Sequence, residues 1–296
     1  MHLIRKSWIV FLQAITLSSE SITVEFLTRI PGISPMLVAA IGIPIAGVVL
    51  LFTMILRSQQ MTVFYSWKLL LAGSVSLAMA VYLWYDSVAR VGASKEGLLA
   101  GPLETVVVLV LAWLILKEKL KRIQLAGICI ALLGFFATVQ SGSSDLSVLF
   151  PQITFGDLEA ILSAFAFAFG VIVMADLVKK HTPSEVTGAS LLISGLVLVI
   201  MFIMSNPSSL PAGQAFMYLT FFSLLPMTAA LLYVVGLNRI GASLTSTIAS
   251  SNILFTLLIQ VVLRGIGIEG NLPQNIFMAA AGGILGILGI YLIHRE

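Results

Sequence analysis

Residues 91–136 read VGASKEGLLAGPLETVVVLVLAWLILKEKLKRIQLAGICIALLGFF. Two apolar runs, 93–116 and 121–140, flank a basic turn. Each approaches the roughly 20 residues that a helix needs to cross about 30 Å of hydrocarbon. A carboxylate, Glu104, sits inside the first run. At a rise of about 1.5 Å per residue it falls near mid-membrane. Ionisable groups at that depth are costly, face a bundle interior or a water-filled cavity, and mark function.

The rest of the chain follows the same pattern. Of 296 residues, 59% are hydrophobic and 10% charged, with a mean hydropathy of +1.07. A soluble domain of this length needs far more polar surface, so the chain reads as an integral membrane protein. Apolar runs of spanning length recur at about 5–27, 34–56, 64–88, 93–116, 121–140, 156–178, 184–204, 212–236, 242–264 and 273–293. Between them lie the turn-rich connections PGISP (31–35), SGSSD (141–145), NPSSLPAG (206–213) and EGNLPQN (269–275). The N-terminus MHLIRKSWIVFLQAITLSSE has the charge order of a signal peptide but no convincing cleavage site, and is read as a retained first span.

Composition also excludes several chemistries. The net charge is only +3 and no basic block is interleaved with aromatics, which argues against nucleic acid as a partner. Cys129 is the single cysteine, and His2, His181 and His294 fall in polar ends or loops. No disulfide framework is available within one chain, and no metal site or cofactor is expected.

Charge also orients the chain. With a cytoplasmic N-terminus, the inner ends hold Arg5, Lys6, Arg57, Lys68, Lys117, Lys119, Lys121, Arg122, Lys179, Lys180, Arg239 and Arg295. The outer ends hold Arg29, Arg90, Lys95 and Arg264. This is a positive-inside bias that places both termini in the cytoplasm and the chain in the cell membrane.

The sequence repeats itself. ARVGAS (89–94) returns as NRIGAS (238–243), and AGICIALLG (126–134) as AGGILGILG (281–289). The expected fold is therefore an all-α membrane protein of ten transmembrane helices in two five-helix repeats, 1–142 and 152–296. An odd number of helices per repeat inverts the second copy, the arrangement of secondary transporters whose substrate sites lie between halves near the midplane.

These features resemble the drug/metabolite transporter superfamily, specifically the EamA-type ten-helix permeases. The resemblance rests on the Gly-Ala-Ser-like entry, the Pro-Leu-Glu segment at 102–104, the Glu-basic-Leu turn at Glu118 and the Gly-spaced helix after it. The second half follows more loosely through RIGASLTSTIASSNILFTLLIQ and IEGNLPQNIFMAAAGGILGILGI, with Glu269 standing where Glu118 does. Two departures stand out: Ser251-Asn252-Ile253 replaces a second Pro-Leu-Glu, and SSES (18–21) replaces a Trp-Gly pair. The resemblance implies a permease for small organic metabolites, amino acids or their derivatives, working in export by alternating access.

On this reading Glu104 and Glu20 bind a cationic or amine-bearing solute, exchange protons, or both; the alternative for each is a hydrogen bond to a neighbouring helix that only fixes packing. Asn252 and Ser251 are polar near the middle of the ninth span, where interhelical hydrogen bonding is the commoner use for an amide. In AFAFAFG (164–170), Phe165 and Phe169 share one helical face while Phe167 points elsewhere; the pair could wall a site for a ring or an ammonium, though lipid-facing or core packing is the commoner use of such a pattern. Pro102 and Pro226 remove backbone donors inside spans and are candidate hinges; Pro44 shares that feature. Tyr82, Trp84 and Tyr85 read as an interfacial aromatic belt. The glycines of the fifth and tenth spans allow close helix contact, either with each other or in a homodimer. Two other functional classes fit the pattern: a transporter-like sensor or accessory subunit, and a membrane-embedded enzyme. Against the enzyme stand the absence of GxSxG, of a histidine at membrane depth and of paired aspartates there.

Cysteines placed at Ser143 and Ser208 should react with impermeant thiol reagents applied to intact cells, and a cysteine at Thr182 should not. Reaction at Thr182 with none at Ser143 would reverse the orientation.

Overall fold

A polar backbone in hydrocarbon must satisfy its own N–H and C=O groups, which confines spanning segments to helices or closed barrels. This chain uses helices. The computed structural model describes residues 2–59, 61–116, 122–140, 153–205, 213–273 and 275–293. The connections 141–145 and 206–212, residues 117–121 of the basic turn with Glu118, and residues 294–296 lie outside the described residues. No strand occurs among those described.

Among the described residues, eight helices are long and apolar enough to cross a membrane. They are α1 (His2–Leu27), α2 (Pro35–Leu56), α3 (Trp67–Val91), α4 (Ala93–Leu116), α6 (Phe155–Leu177), α7 (Pro183–Met204), α8 (Gln214–Ile240) and α9 (Ala242–Gly265). Two further apolar helices are α5 (Arg122–Gln140) and α10 (Ile276–Ile293). Large apolar side chains face outward along them, among them Phe52, Ile55, Ile200, Ile203, Phe277 and Leu288. An exposed hydrophobic surface this extensive matches lipid rather than water.

Local sequence signals start and stop these helices. Ser34 caps α2 by accepting from the Leu37 N–H at 3.2 Å, with Pro35 in the first turn. Thr154 and Asp157 form a reciprocal capping box on α6. The repeated Gly-Ala-Ser motif also has a physical basis. Gly92 and Gly241 turn the chain between α3 and α4 and between α8 and α9 with φ of 87° and 82°, a region that favours glycine. Serine and threonine hydroxyls inside the spans return to carbonyls of the preceding turn, as Ser18 does to Ala14, Thr23 to Ser19 and Thr187 to Pro183. Three helices are irregular. α3 contains a π-helical stretch at Leu71–Ala78, α8 breaks at Ser223 just before Pro226, and α9 breaks at Ser250 and Ser251.

Packing pairs the helices as α5 on α10, α2 on α7, α3 on α6, α1 on α8, α4 on α6 and α1 on α9. Glycines set two of these seams. A Cβ on Gly134 of α5 would lie 2.5 Å from the Gly286 nitrogen and 2.6 Å from the Gly282 oxygen of α10. A Cβ on Gly47 of α2 would lie 2.5 Å from the Leu192 nitrogen, and one on Gly195 of α7 would lie 2.5 Å from the Pro44 Cα. Backbone therefore meets backbone, the close approach that small residues permit in membranes. The glycines of α5 and α10 are used against each other, one of the two arrangements expected from sequence.

Gly134→Leu should push α5 off α10 and destabilise the protein by about 1–3 kcal/mol, seen as a lower melting temperature in detergent. Gly265→Ala, whose added Cβ meets nothing within 4 Å, should melt like the parent.

Candidate functional site

The polar side chains of the spans fall into two groups, those that staple helix ends and those left facing a cavity. Glu25 of α1 is a staple. It is 1% exposed, and its carboxylate accepts from Arg29 at 2.5 Å, the Ala93 N–H at 2.9 Å, Gln260 Nε2 at 2.5 Å and the Asn271 N–H at 2.6 Å. Lys95 pairs with Asp157 at 2.6 Å, and Arg90 bridges Asp86 at 2.8 Å and Glu159 at 3.0 Å. At the other end Glu185 accepts from the Val63 N–H at 2.6 Å and lies 3.8 Å from His181, while Lys68 pairs with Asp176. Each of these carboxylates has a basic partner.

Glu20, Glu96 and Glu104 have none among the described residues. All three line one internal cavity, whose space open to water-sized spheres is ≈ 130 Å³. A single water needs roughly 10–15 Å³ on that measure, so the cavity takes several waters or a small solute in their place. Its wall comes from α1 (Gln13, Leu17, Glu20), α4 (Glu96 to Glu104), α3 (Trp84), α6 (Phe167), α7 (Ser190) and α8 (Pro226, Tyr233), with Asn252 at the break in α9. Each carboxylate is aimed by one aromatic donor on another helix. Tyr85 Oη donates to Glu20 Oε1 at 2.6 Å, Trp84 Nε1 to Glu96 Oε2 at 3.0 Å, and Tyr233 Oη to Glu104 Oε1 at 3.2 Å. No second donor among the described residues reaches these carboxylates.

Three more polar groups converge on this space. Gln13 Oε1, Ser190 Oγ and Asn252 Oδ1 are buried with no hydrogen-bond partner among the described residues. A buried acceptor without a partner is expensive, and all three residues line the cavity.

The sequence candidates divide accordingly. Glu104, Glu20, Asn252 and Pro226 line the cavity. Ser251 does not; its hydroxyl donates to the Ile248 carbonyl at 2.7 Å. Pro102 is buried in α4 against α10, its Cγ 3.0 Å from where a Cβ of Gly286 would lie. Phe165 is half exposed on the outer face of α6, and Phe169 is not part of the cavity wall. The inward stripe of α6 runs instead through Ala160, Ala164, Phe167, Val171 and Met174, the three- and four-residue steps of a helix face. Phe167 meets Trp84 edge to face at 5.8 Å.

One expectation is overturned. Trp84 and Tyr85 are not interfacial; they are 6% and 0% exposed, and their polar tips are spent on Glu96 and Glu20. Sequence reasoning missed Glu96, because the adjacent Lys95 suggested a solvated helix end, and it missed Gln13, Ser190 and Tyr233. The usable signal was the isolated polar residue in an apolar run, a pattern that Gln13 and Ser190 share with Glu104.

The sequence profile of the EamA-like transporter family matches residues 6–140 and again 154–295. The chain belongs to the EamA-like transporter family. An uncharacterized transporter, YyaM, of Bacillus subtilis (strain 168) is 27% identical over 201 residues, an alignment spanning 66% of this chain and 62% of that relative, less than two thirds of its length. A solved crystal structure, of a protein given no more specific description, is 17% identical. It covers 96% of this chain and 94% of its own, with a TM-score of 0.66, a likeness of fold.

Tyr233→Phe removes the donor that aims Glu104 while keeping the ring. It should leave the melting temperature within about 1 kcal/mol of the parent's stability and weaken transport severalfold. Unchanged transport would assign Tyr233 to packing.

Proposed function

We propose that this transporter carries small organic metabolites, amino acids or their derivatives, by alternating access across the cell membrane, in the direction of export. The observation that carries this reading is the cavity, which draws lining residues from both halves of the chain and holds carboxylates with no basic partner. α5 and α10 complete a count of ten spans on this reading, arranged as two inverted five-helix repeats, 1–142 and 152–296, with both termini cytoplasmic. Supporting the repeat, the six pairings named above map onto one another when each helix is exchanged with the one five places along: α3 on α6 becomes α8 on α1, and α4 on α6 becomes α9 on α1. Inverted repeats place a site at their interface and expose it alternately as one half rocks against the other. The breaks at Ser223–Pro226 in α8 and at Ser250–Ser251 in α9 are the hinges of that motion, with Pro102 a fixed contact between α4 and α10.

Glu104 is the residue that couples solute, and protons where they are exchanged, to the motion. Its charge must be matched within the cavity by a proton or by a cationic solute, because an ion left alone in a low-dielectric site is prohibitively costly. Glu104→Gln keeps shape and most hydrogen bonding. It should reach the membrane in normal amount, melt like the parent in detergent, and lose flux in proteoliposomes about tenfold, or lose the pH dependence of that flux. Wild-type flux at every pH would leave Glu104 as a packing residue. Absence of flux for the parent protein over a broad metabolite panel would favour the sensor or accessory reading.

A further inference from the structure

The charged inventory of the cavity is one-sided. Glu20, Glu96 and Glu104 offer carboxylate oxygens, Gln13 and Asn252 offer buried amide oxygens without partners, and Ser190 offers a hydroxyl without one. No lysine, arginine or histidine is among the described lining residues. The aromatic hydroxyl and indole donors of the wall are already given to the carboxylates. An anion would have only neutral donors, the amides of Gln13 and Asn252, the hydroxyl of Ser190 and the N–H groups of a broken helix. The break in α9 adds at most the N–H of Asn252. The N–H groups of Ser251, Ile253, Leu254 and Phe255 are bonded to carbonyls at Ile248, Ser250 and Ser251. The acceptors are also spread along the wall; no three carboxylates, histidines or cysteines among the described residues are gathered to hold a metal ion.

From this we infer that the cavity takes a protonated primary amine lacking a free carboxylate, and rejects the corresponding zwitterionic amino acid. The ammonium group carries three donors and no acceptor, the complement of three carboxylates with open lone pairs. Its positive charge answers the unmatched carboxylates. The apolar remainder lies against Trp84 and Phe167, whose faces also attract a cation. A zwitterion would bring a fourth carboxylate into the same low-dielectric space beside Glu20, Glu96 and Glu104, with no cationic side chain to receive it, and burying a charge without a counter-charge is strongly unfavourable. The inference rests on the permease reading for its physiological meaning and narrows its solute from amino acids to their derivatives without the carboxylate, but it concerns the site and is tested by binding.

The test uses the full chain purified in detergent and two matched pairs, phenethylamine with phenylalanine and isoamylamine with leucine, plus 3-phenylpropionate as the acid without an amine. Binding is read by thermal shift and by isothermal calorimetry. Each amine should bind about tenfold or more tightly than its amino acid, and 3-phenylpropionate should not bind. Glu96→Gln and Glu20→Gln should each weaken the amine severalfold without changing the melting temperature of the empty protein. This wild-type preference needs no variant, so a misfolded variant does not decide the question. Amino acids binding as well as their amines, binding of 3-phenylpropionate, no binding of either amine, or amine affinity indifferent to both glutamine variants would each overturn the inference. The two readings fail separately. Amino-acid flux in proteoliposomes without amine binding leaves a permease and removes the amine preference. Amine binding without flux of any amine leaves the site and removes the permease.

Discussion

Helices in lipid gain little from burying apolar surface against one another, because the surrounding tails are equally apolar. Their association depends on how closely backbones can approach, and here glycine decides where that happens. Gly134, Gly282 and Gly286 bring α5 and α10 into backbone contact, and Gly47 and Gly195 do the same for α2 and α7. These two seams join the first half of the chain to the second at two separate places. Other contacts between halves, α1 on α8 and α9 and α6 on α3 and α4, carry bulkier inward side chains. The space they leave is the cavity. Tight packing at the seams and loose packing between them are two consequences of one distribution of small residues.

Much of this architecture was legible in the sequence, because spans in hydrocarbon must be helical, long and apolar. The helix beginnings at Pro35, Ala93 and Pro183 fall within a residue of those expected from hydropathy and turn signals. Gly92 and Gly241 marked the repeat because their positive φ constrains both copies alike. What hydropathy does not encode is azimuth. All sides of a span are apolar, so periodicity does not tell a lipid-facing phenylalanine from one facing a cavity. Phe165 and Phe167 exchanged places relative to expectation for that reason. The irregular stretches, π-helical in α3 and broken in α8 and α9, rotate the following residues further from an ideal wheel.

Polar residues were a better guide than aromatic ones, since lipid rejects them whatever the azimuth. Glu104, Glu20 and Asn252 all line the cavity. Glu96 escaped because sequence alone does not tell which of two adjacent charges points inward. Lys95 goes to Asp157 of α6, and Glu96 turns to Trp84. The pair separates because consecutive helix positions differ by about 100°. Tyr85 and Trp84 escaped because an aromatic with a polar tip near the end of a span fits the headgroup region as well as it fits a buried carboxylate.

Glu20 and Glu25 show how one residue type serves two ends on a single helix. They lie five positions apart on α1, about 140° around the axis, and both are almost fully buried. Glu25 receives Arg29, Gln260 and two backbone N–H groups from other parts of the chain. Its charge and its lone pairs are all answered, so it fixes the junction of α1, α4 and α9. Glu20 receives one phenol, and nothing basic among the described residues stands near it. A carboxylate with its donors supplied internally adds order; a carboxylate oriented but left unanswered needs something from outside the chain. The same contrast separates Asp157, paired with Lys95, from Glu96 one position beyond that lysine. In this bundle the count of donors around each acid, rather than depth or burial, divides the structural carboxylates from those available to a solute.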